Sequence, residues 1–200
     1  DTLTQHGVHV HLNAGAQALM TAEGSVCGVR ATDGSETPVD YALLSIGVVP
    51  ASDLARDAGL ELGLKGAIVV DDEMRTSDPR IWACGDCVQM KNRITGGAAY
   101  VPLGTTANKQ GRIAADNICG GDSRYPGSQG SSVIKVFNMT AAVTGINEIT
   151  ARKAGIDADK VVLSPMSHAG YYPGGKVMTI KVIFERNTYR LLGAQIVRYE

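Results

Sequence analysis

The sequence predicts two folds in succession, an α/β part and then an α+β part with a largely antiparallel sheet. Three observations lead to this prediction. Short apolar runs of the strand type alternate with helical patterns as far as residue 119. A run rich in Gly, Ser and Pro, GGDSRYPGSQGSS, follows at 120–132 and is the best domain boundary in the chain. Beyond it, five strand-like segments accompany one short helix, which is typical of an α+β domain.

Strands of the α/β part are predicted where apolar residues alternate or run continuously. They fall in five places: 8–12, two within 25–47 that flank a turn at Asp33-Gly34-Ser35, 67–72 and 79–84. The apolar run 41–46 ends the second strand of that pair and suits a buried strand, and Gly47 and Pro50 then end it.

Two helices are predicted in the same part, at 52–60 and 105–119. For the first, Ser52 is the expected N-cap and Gly59 the expected C-cap. For the second, we expect Thr105 or Thr106 as the N-cap and Gly120-Gly121 as the stop.

In the α+β part, a helix is predicted at 147–155, ending at Gly155, and a hairpin turn at 185–190. The predicted strands are 133–137, 141–145, 160–167, 177–185 and 189–197.

Composition narrows the class of protein. The 200 residues are 44% hydrophobic and carry a net charge of −1, as expected for a soluble globular chain. The balanced charge argues against a nucleic-acid partner, and no apolar run has the length of a membrane span. Four cysteines are too few for a disulfide scaffold, so we expect a reducing, cytoplasmic location. Because the chain opens without Met in what resembles a helix-to-strand connection, we expect a fragment of a longer protein.

The segment RIWACGDCVQM at 80–90 holds the residues with the most chemistry. Cys84 and Cys87 have the spacing of a redox dithiol or of half a zinc site. No second pair of this spacing supplies the other zinc ligands, and the pair follows a strand rather than a helix N-terminus, so packing by small side chains is the favoured interpretation and no metal is expected. Gly85 permits a close approach of backbone or ligand, and Asp86 places a carboxylate at a strand end, where α/β folds bind ligands.

The residues of MRTSDPRIWACGDC at 74–87 resemble the second FAD-binding motif of the pyridine nucleotide-disulfide oxidoreductases. That motif is written T-x-x-x-x-[IV]-[YFW]-A-x-G-D, and it is matched from Thr76 to Asp86. Three further segments are similar to the same family in the same order: 43–62, 100–118 and 167–175. The last of them, SHAGYYPGG, is similar to the branch of coenzyme A-disulfide reductases, NADH oxidases and NADH peroxidases.

The resemblance implies a role for particular residues. Asp86 would hydrogen-bond the ribityl chain of FAD and Gly85 would make room for it, while the backbone of Leu103, Gly104 and Thr105 would face the pyrimidine edge of the flavin. Gly47 would lie where the nicotinamide of NAD(P)H approaches. Tyr171 or Tyr172 would reach the active site of the partner subunit in a homodimer, and the sequence does not choose between them.

The resemblance also implies three domains. Residues 1–49 would end a NAD-binding domain, 50–126 would be the C-terminal part of a Rossmann-like FAD-binding domain, and 127–200 would be a truncated α+β dimerisation domain. No G-x-G-x-x-G fingerprint occurs in the chain. The resemblance implies that the family's first FAD fingerprint and its redox cysteine lie upstream, so we expect the fragment alone to be inactive.

The implied activity is transfer of a hydride from NAD(P)H through FAD to a disulfide, O₂ or a peroxide. A non-catalytic dimerisation or binding module is the alternative.

Overall fold

The computed structural model describes residues 2–199, and the chain divides into two units, Asp1–Val48 and Val49–Glu200. In the first unit, a short helix α1 (Thr2–Gln5) precedes a three-stranded antiparallel sheet in the order β1-β2-β3. Its strands are β1 (Ala16–Ala22), β2 (Ser25–Ala31) and β3 (Glu36–Pro38).

The predicted turn between β2 and β3 is confirmed. The carboxylate of Asp33 accepts hydrogen bonds from the N–H of Ser35 at 2.9 Å and from its hydroxyl at 2.7 Å. Between them, Gly34 has a φ of +84°, a conformation that costs glycine little.

One strand predicted in the first unit is wrong, since residues 8–12 form no strand. The second strand of the predicted pair is present as β3 but ends at Pro38, so it does not include the run 41–46, in which Leu43 is 94% exposed. A strand is stabilised by hydrogen bonds to a neighbour, and no segment among the described residues pairs with either run. The sequence prediction also missed β1, whose residues Ala16–Ala22 are mostly exposed and show no apolar alternation.

The second unit begins with α2 (Asp53–Asp57) and a 3₁₀ turn (Leu64–Gly66). A small sheet follows in the order β4-β5-β6, in which β4 runs parallel to β5 and β6 antiparallel to it. These strands and the long helix after them are β4 (Ile68–Val69), β5 (Val88–Lys91), β6 (Ala98–Ala99) and α3 (Gly104–Ile118).

Two local predictions for this region are wrong, and a third, the N-cap at Ser52, is confirmed in position. Residues 79–84 are not a strand, because they contribute only one isolated bridge, between Trp82 and Arg75. Ser52 stands at the N-cap of α2, but its hydroxyl donates to the carbonyl of Gly66 at 2.6 Å instead of capping the helix. The N-cap of α3 is Leu103, since the helix begins at Gly104, one residue before the predicted start.

The α+β prediction for the rest of the chain is confirmed by a five-stranded antiparallel sheet in the order β7-β8-β11-β10-β9. One helix, α4 (Glu148–Lys153), lies between β8 and β9 in the sequence. The strands are β7 (Ser132–Val136), β8 (Met139–Gly145), β9 (Ala158–Leu163), β10 (Met178–Glu185) and β11 (Leu191–Tyr199).

Buried apolar side chains of the second unit form three clusters. One joins Met74, Met90, Ala114 and Tyr125, and so packs α3 against β5. The other two are Ile146, Ala151, Ile183 and Leu192, and Ala55, Ile68 and Val88.

The predicted linker at 120–132 is fixed to β5 by backbone hydrogen bonds. The N–H of Ser128 donates to the carbonyl of Lys91 at 3.0 Å, and the N–H of Arg93 donates to the carbonyl of Ser128 at 3.1 Å. Within the same segment, the N–H of Tyr125 donates to the carbonyl of Asp72 at 2.7 Å. A segment with the composition of a linker is thus held as part of the second unit.

Within residues 2–199, no helix combines the length and the apolar character needed to pass through a lipid bilayer.

Candidate functional site

The Gly85-Asp86 turn leads directly into β5 at Val88. Gly85 has a φ of +89°, and a Cβ added to it would lie 3.9 Å from the Cβ of Ala107, an ordinary contact. Glycine is therefore required here by the backbone conformation and not by crowding. The side chain of Asp86 is exposed, and no group in residues 2–199 forms a hydrogen bond or an ion pair with its carboxylate. This arrangement presents an acceptor on a fixed turn.

Cys84 and Cys87 are free, half-buried thiols on either side of this turn. Cys84 packs against the cluster around Met74, and Cys87 packs against the cluster around Val88. Burial raises the pKa of the Cys87 thiol, and its Sγ–H donates to the carbonyl of Cys84 at 3.4 Å. A raised pKa disfavours the thiolate that redox and metal chemistry require, which supports the packing interpretation.

Among the described residues, no side chain caps the N-terminus of α3. Leu103 at the N-cap is extended and apolar, and its carbonyl accepts hydrogen bonds from Thr106 and Ala107. The N–H groups of Gly104 and Thr105 have no acceptor in the described part of the chain, as expected for the first positions of a helix. These exposed groups and the positive end of the helix dipole favour an acceptor atom or negative charge.

Leu103 and Thr105 also line a small, mostly polar cavity of about 110 Å³. Lys109 and Arg93 contribute positive charge to its wall, and neither forms an ion pair with another residue of the described chain. Asp86 does not line this cavity.

The buried face of α3 is largely polar, and the sequence analysis missed it. Thr106, Gln110, Ala114 and Asn117 are the buried residues, at helical spacing. Gln110 is fully buried, and its Oε1 accepts a hydrogen bond from the N–H of Gly85 at 2.9 Å. Asn117 bonds the carbonyls of Glu73 and Ser123 and the N–H of Ser123. The sequence indicates this face only through the helical spacing of the four positions, because three of the four residues are polar.

Tyr100 makes a second contact with the turn. Its hydroxyl donates to the carbonyl of Asp86 at 2.8 Å. Desolvation, and secondarily the charge of Asp86, raises the pKa of Tyr100, so this hydroxyl keeps its proton at neutral pH. Gly85, Asp86 and α3 are thus brought together by Gln110 and Tyr100.

Tyr171 and Tyr172 lie in the loop between β9 and β10. They are 84% and 61% exposed, and their ring centroids are 4.9 Å apart. His168, which was not predicted as a site residue, has its ring in an edge-to-face arrangement with Tyr172, and the two ring centroids are 6.4 Å apart. No contact in the described residues joins these tyrosines to the Gly85-Asp86 turn.

Gly47 lies in the first unit, in an extended segment without regular secondary structure. Its φ is +94°, and an added Cβ would meet no atom within 4 Å. The positive φ of Gly47 is one that glycine adopts at little cost, and its role beside the nicotinamide stays a prediction.

Comparison with protein families explains this combination of features. Residues 1–111 match the model described as pyridine nucleotide-disulphide oxidoreductase, and residues 131–200 match the dimerisation domain of the same group. The chain belongs to the pyridine nucleotide-disulphide oxidoreductase family. The resemblance found in the sequence and the predicted fold class are confirmed.

Three similar proteins illustrate the match. A CoA-dependent NAD(P)H sulfur oxidoreductase of Pyrococcus abyssi is 37% identical over 84% of this chain and 38% of its own length. The structure of an NAD-dependent persulfide reductase from A. fulgidus has a TM-score of 0.93 at 38% identity, covering 99% of this chain and 37% of that protein. An FAD-dependent pyridine nucleotide-disulphide oxidoreductase from Desulfovibrio vulgaris has a TM-score of 0.83 at 38% identity, covering 98% and 46%. The chain spans less than half the length of each.

Proposed function

We propose that this chain is the C-terminal portion of an FAD-dependent NAD(P)H oxidoreductase that passes electrons to a small-molecule acceptor. Family membership supports the proposal, and so does the match to only 38% of the Pyrococcus abyssi protein. In this proposal residues 1–49 end a NAD-binding domain, 50–126 complete a FAD-binding domain, and 127–200 form the dimerisation domain. The free state of all four cysteines agrees with the cytoplasmic location that we predict.

The observation that carries the proposal is the unpaired carboxylate of Asp86 on the Gly85 turn, which is tied to α3. An exposed carboxylate with no protein partner is suited to accept hydrogen bonds from the hydroxyls of a ribityl chain. The N–H groups of Gly104 and Thr105 are suited to the carbonyl and the negative charge at the pyrimidine edge of a reduced flavin. The residues present therefore fit FAD, with Leu103 providing apolar contact beside them.

When bound, FAD supplies the chemistry that accepts a hydride from NAD(P)H and passes the electrons on. Gly47, with a φ of +94° and no side chain, would let the nicotinamide approach the backbone closely. In this proposal Asp86 holds the cofactor.

The dimerisation-domain match at 131–200 supports a homodimer. Apolar side chains of the five-stranded sheet are available to a second copy: Val133, Ile134, Val162, Leu163 and Leu191 are each 49–71% exposed. Tyr171 and Tyr172 project from the same domain, and in this proposal one of them reaches the active site of the partner subunit.

The acceptor that we favour is a small disulfide or persulfide, with O₂ and peroxide as the competing possibilities. This choice is supported by the sulfur and persulfide reductases among the similar proteins at 37–38% identity.

The test uses the full-length protein purified from its own gene. We expect a yellow dimer that consumes NADH or NADPH faster with coenzyme A disulfide or a persulfide than with O₂ or peroxide. Asp86→Ala should lower the flavin content, whereas replacing Cys84 and Cys87 together by Ser should leave it unchanged. A dimer that holds no flavin and consumes no NAD(P)H would refute the proposal in favour of a non-catalytic module.

A further inference from the structure

Gln110 is a polar side chain in a place where an apolar one would be expected. It lies in the middle of α3, in line with Thr106 and Ala114, and it is 0% exposed. Burying an amide is unfavourable unless its hydrogen-bonding groups find partners. The reason for a glutamine here must therefore lie in the bonds that it makes.

Those bonds point to the candidate site. Oε1 accepts from the N–H of Gly85 at 2.9 Å, a bond of normal length. The other side of the amide, Nε2, has the Sδ of Met90 at 4.0 Å as its sole partner within residues 2–199, and a thioether is a weak acceptor. In this described part of the chain, the one strong hydrogen bond of the Gln110 side chain is thus made to the turn that carries Asp86.

The turn is held at two consecutive residues. Gln110 binds the N–H of Gly85, and Tyr100 binds the carbonyl of Asp86 at 2.8 Å. Gly85 has a left-handed conformation, and glycine adopts many other conformations at little cost. The turn is therefore free to change shape if either bond is lost. Two anchors on adjacent residues fix the direction of the chain at Asp86, and the inner anchor belongs to the same helix whose first N–H groups form the other half of the site.

We propose that Gln110 is a positioning residue for flavin binding, which holds the Gly85-Asp86 turn at a fixed distance from the N-terminus of α3. The proposal rests on the proposed function, since it takes the ligand to be FAD. Gln110 itself does not touch the ligand, because it is fully buried. It acts by keeping the Asp86 carboxylate and the N–H groups of Gly104 and Thr105 in the relative positions that one ligand must satisfy together.

The test compares two buried amides of the same helix in the full-length protein. Gln110→Met keeps the volume and length of the side chain but removes the acceptor for Gly85. Asn117→Leu is the matched control, because Asn117 is also buried on α3 but bonds Glu73 and Ser123 instead of the Gly85 turn. For each protein we would measure the flavin dissociation constant, the visible circular dichroism of bound flavin, the melting temperature, and hydrogen exchange of the peptide covering 80–90.

For Gln110→Met we expect a flavin dissociation constant raised about tenfold, as for the loss of one buried hydrogen bond. We also expect a changed flavin circular dichroism and faster exchange at 80–90. Asn117→Leu should lower the melting temperature while leaving the dissociation constant and the dichroism as in the wild type. If Gln110→Met does not fold, Gln110→Asn replaces it, since the shorter amide withdraws its oxygen from Gly85.

Two results would overturn the inference: a Gln110 variant that binds flavin as tightly as the wild type, or a control that weakens binding equally. A wild-type protein without flavin would instead refute the proposed function and the ligand assigned here. The exchange rate of the 80–90 peptide would still decide whether Gln110 fixes the turn.

Discussion

The two units of the chain differ in where their apolar side chains lie. In residues 49–199, three clusters bury side chains from distant parts of the sequence, such as Ile146 with Ile183 and Leu192. In residues 2–48, only Thr2 and Gly28 are buried, and the run 41–46 exposes Tyr41 and Leu43 by more than 90%. The second unit therefore buries part of its apolar residues in clusters of its own, whereas the described residues of the first unit form no such cluster.

This difference shows what a strand-like sequence needs in order to form a strand. The run 41–46 is more apolar than β8 or β9, and yet only the latter have neighbours to which they hydrogen-bond. Under the proposed function, the neighbours of 41–46 belong to the part of the NAD-binding domain that this chain does not include. The pattern of a buried parallel strand would then be correct for the longer protein.

The largest effect expected from this comparison comes from one substitution made in each unit. Ile183→Ala should lower the free energy of unfolding of the 200-residue chain by about 2–5 kcal/mol, because Ile183 is 0% exposed and its loss leaves a cavity. Ile46→Ala should change it by no more than about 0.5 kcal/mol, because Ile46 is 87% exposed. Urea denaturation followed by circular dichroism measures both.

The same pair then tests whether 41–46 is buried in the full-length protein. There, Ile46→Ala should become as costly as Ile183→Ala, at about 2–5 kcal/mol. Equal and small effects of Ile46→Ala in both proteins would mean that this run has no packing partner upstream.

A second pair of substitutions tests whether the segment that resembles a linker is held as part of the second unit. Gly127 and Gly130 both have positive φ, at +93° and +69°. A Cβ on Gly127 would lie 2.2 Å from the carbonyl oxygen of Lys91, whereas one on Gly130 would meet nothing within 4 Å. Gly127→Ala should thus lower the free energy of unfolding by about 1–3 kcal/mol more than Gly130→Ala, by displacing the segment from β5. Similar losses in the two variants would show that 120–131 is not held there.

Sequence patterns predicted well those elements that depend on local chemistry. The turn at 33–35, helix α3 and the antiparallel strands of 132–199 follow from turn residues, helical periodicity and alternation. The strand predicted at 79–84 is wrong for a reason different from that at 41–46, because residues 81–83 pair with 74–76 through one bridge and two backbone hydrogen bonds, too few for a strand. The rigid attachment of 120–131 depends on contacts with Lys91 and Asp72, which are distant in sequence and leave no local pattern.

Residues of the candidate site were likewise predicted where the pattern is local and missed where it is not. Gly85 and Asp86 were found because a contiguous motif contains them, and the left-handed φ of Gly85 agrees with the choice of a glycine. Gln110 and Tyr100 were missed because their importance comes from hydrogen bonds to residues 25 and 14 positions away. A buried amide within an otherwise regular helix face is the only sign of such a bond in the sequence.

The smallest expected effect concerns the charges that attach α4 to the five-stranded sheet. Glu148 accepts from Lys160 of β9 at 2.6 Å and from Lys181 of β10 at 2.9 Å, and these bonds lower its pKa from 4.5 to about 2. A carboxyl group with a lowered pKa stabilises the folded state fully above about pH 4.5, and this contribution is lost as the pH falls through about 2. Glu148→Gln should therefore be less stable than the wild type at neutral pH and should lose less stability on acidification between pH 4.5 and 2.

Glu36→Gln is the control in the first unit, because the Arg30–Glu36 pair is about half exposed at both ends and is expected to contribute little. Thermal unfolding measured at several pH values compares the three proteins, and parallel acid curves for wild type and Glu148→Gln would show that this paired carboxylate does not hold the helix to the sheet.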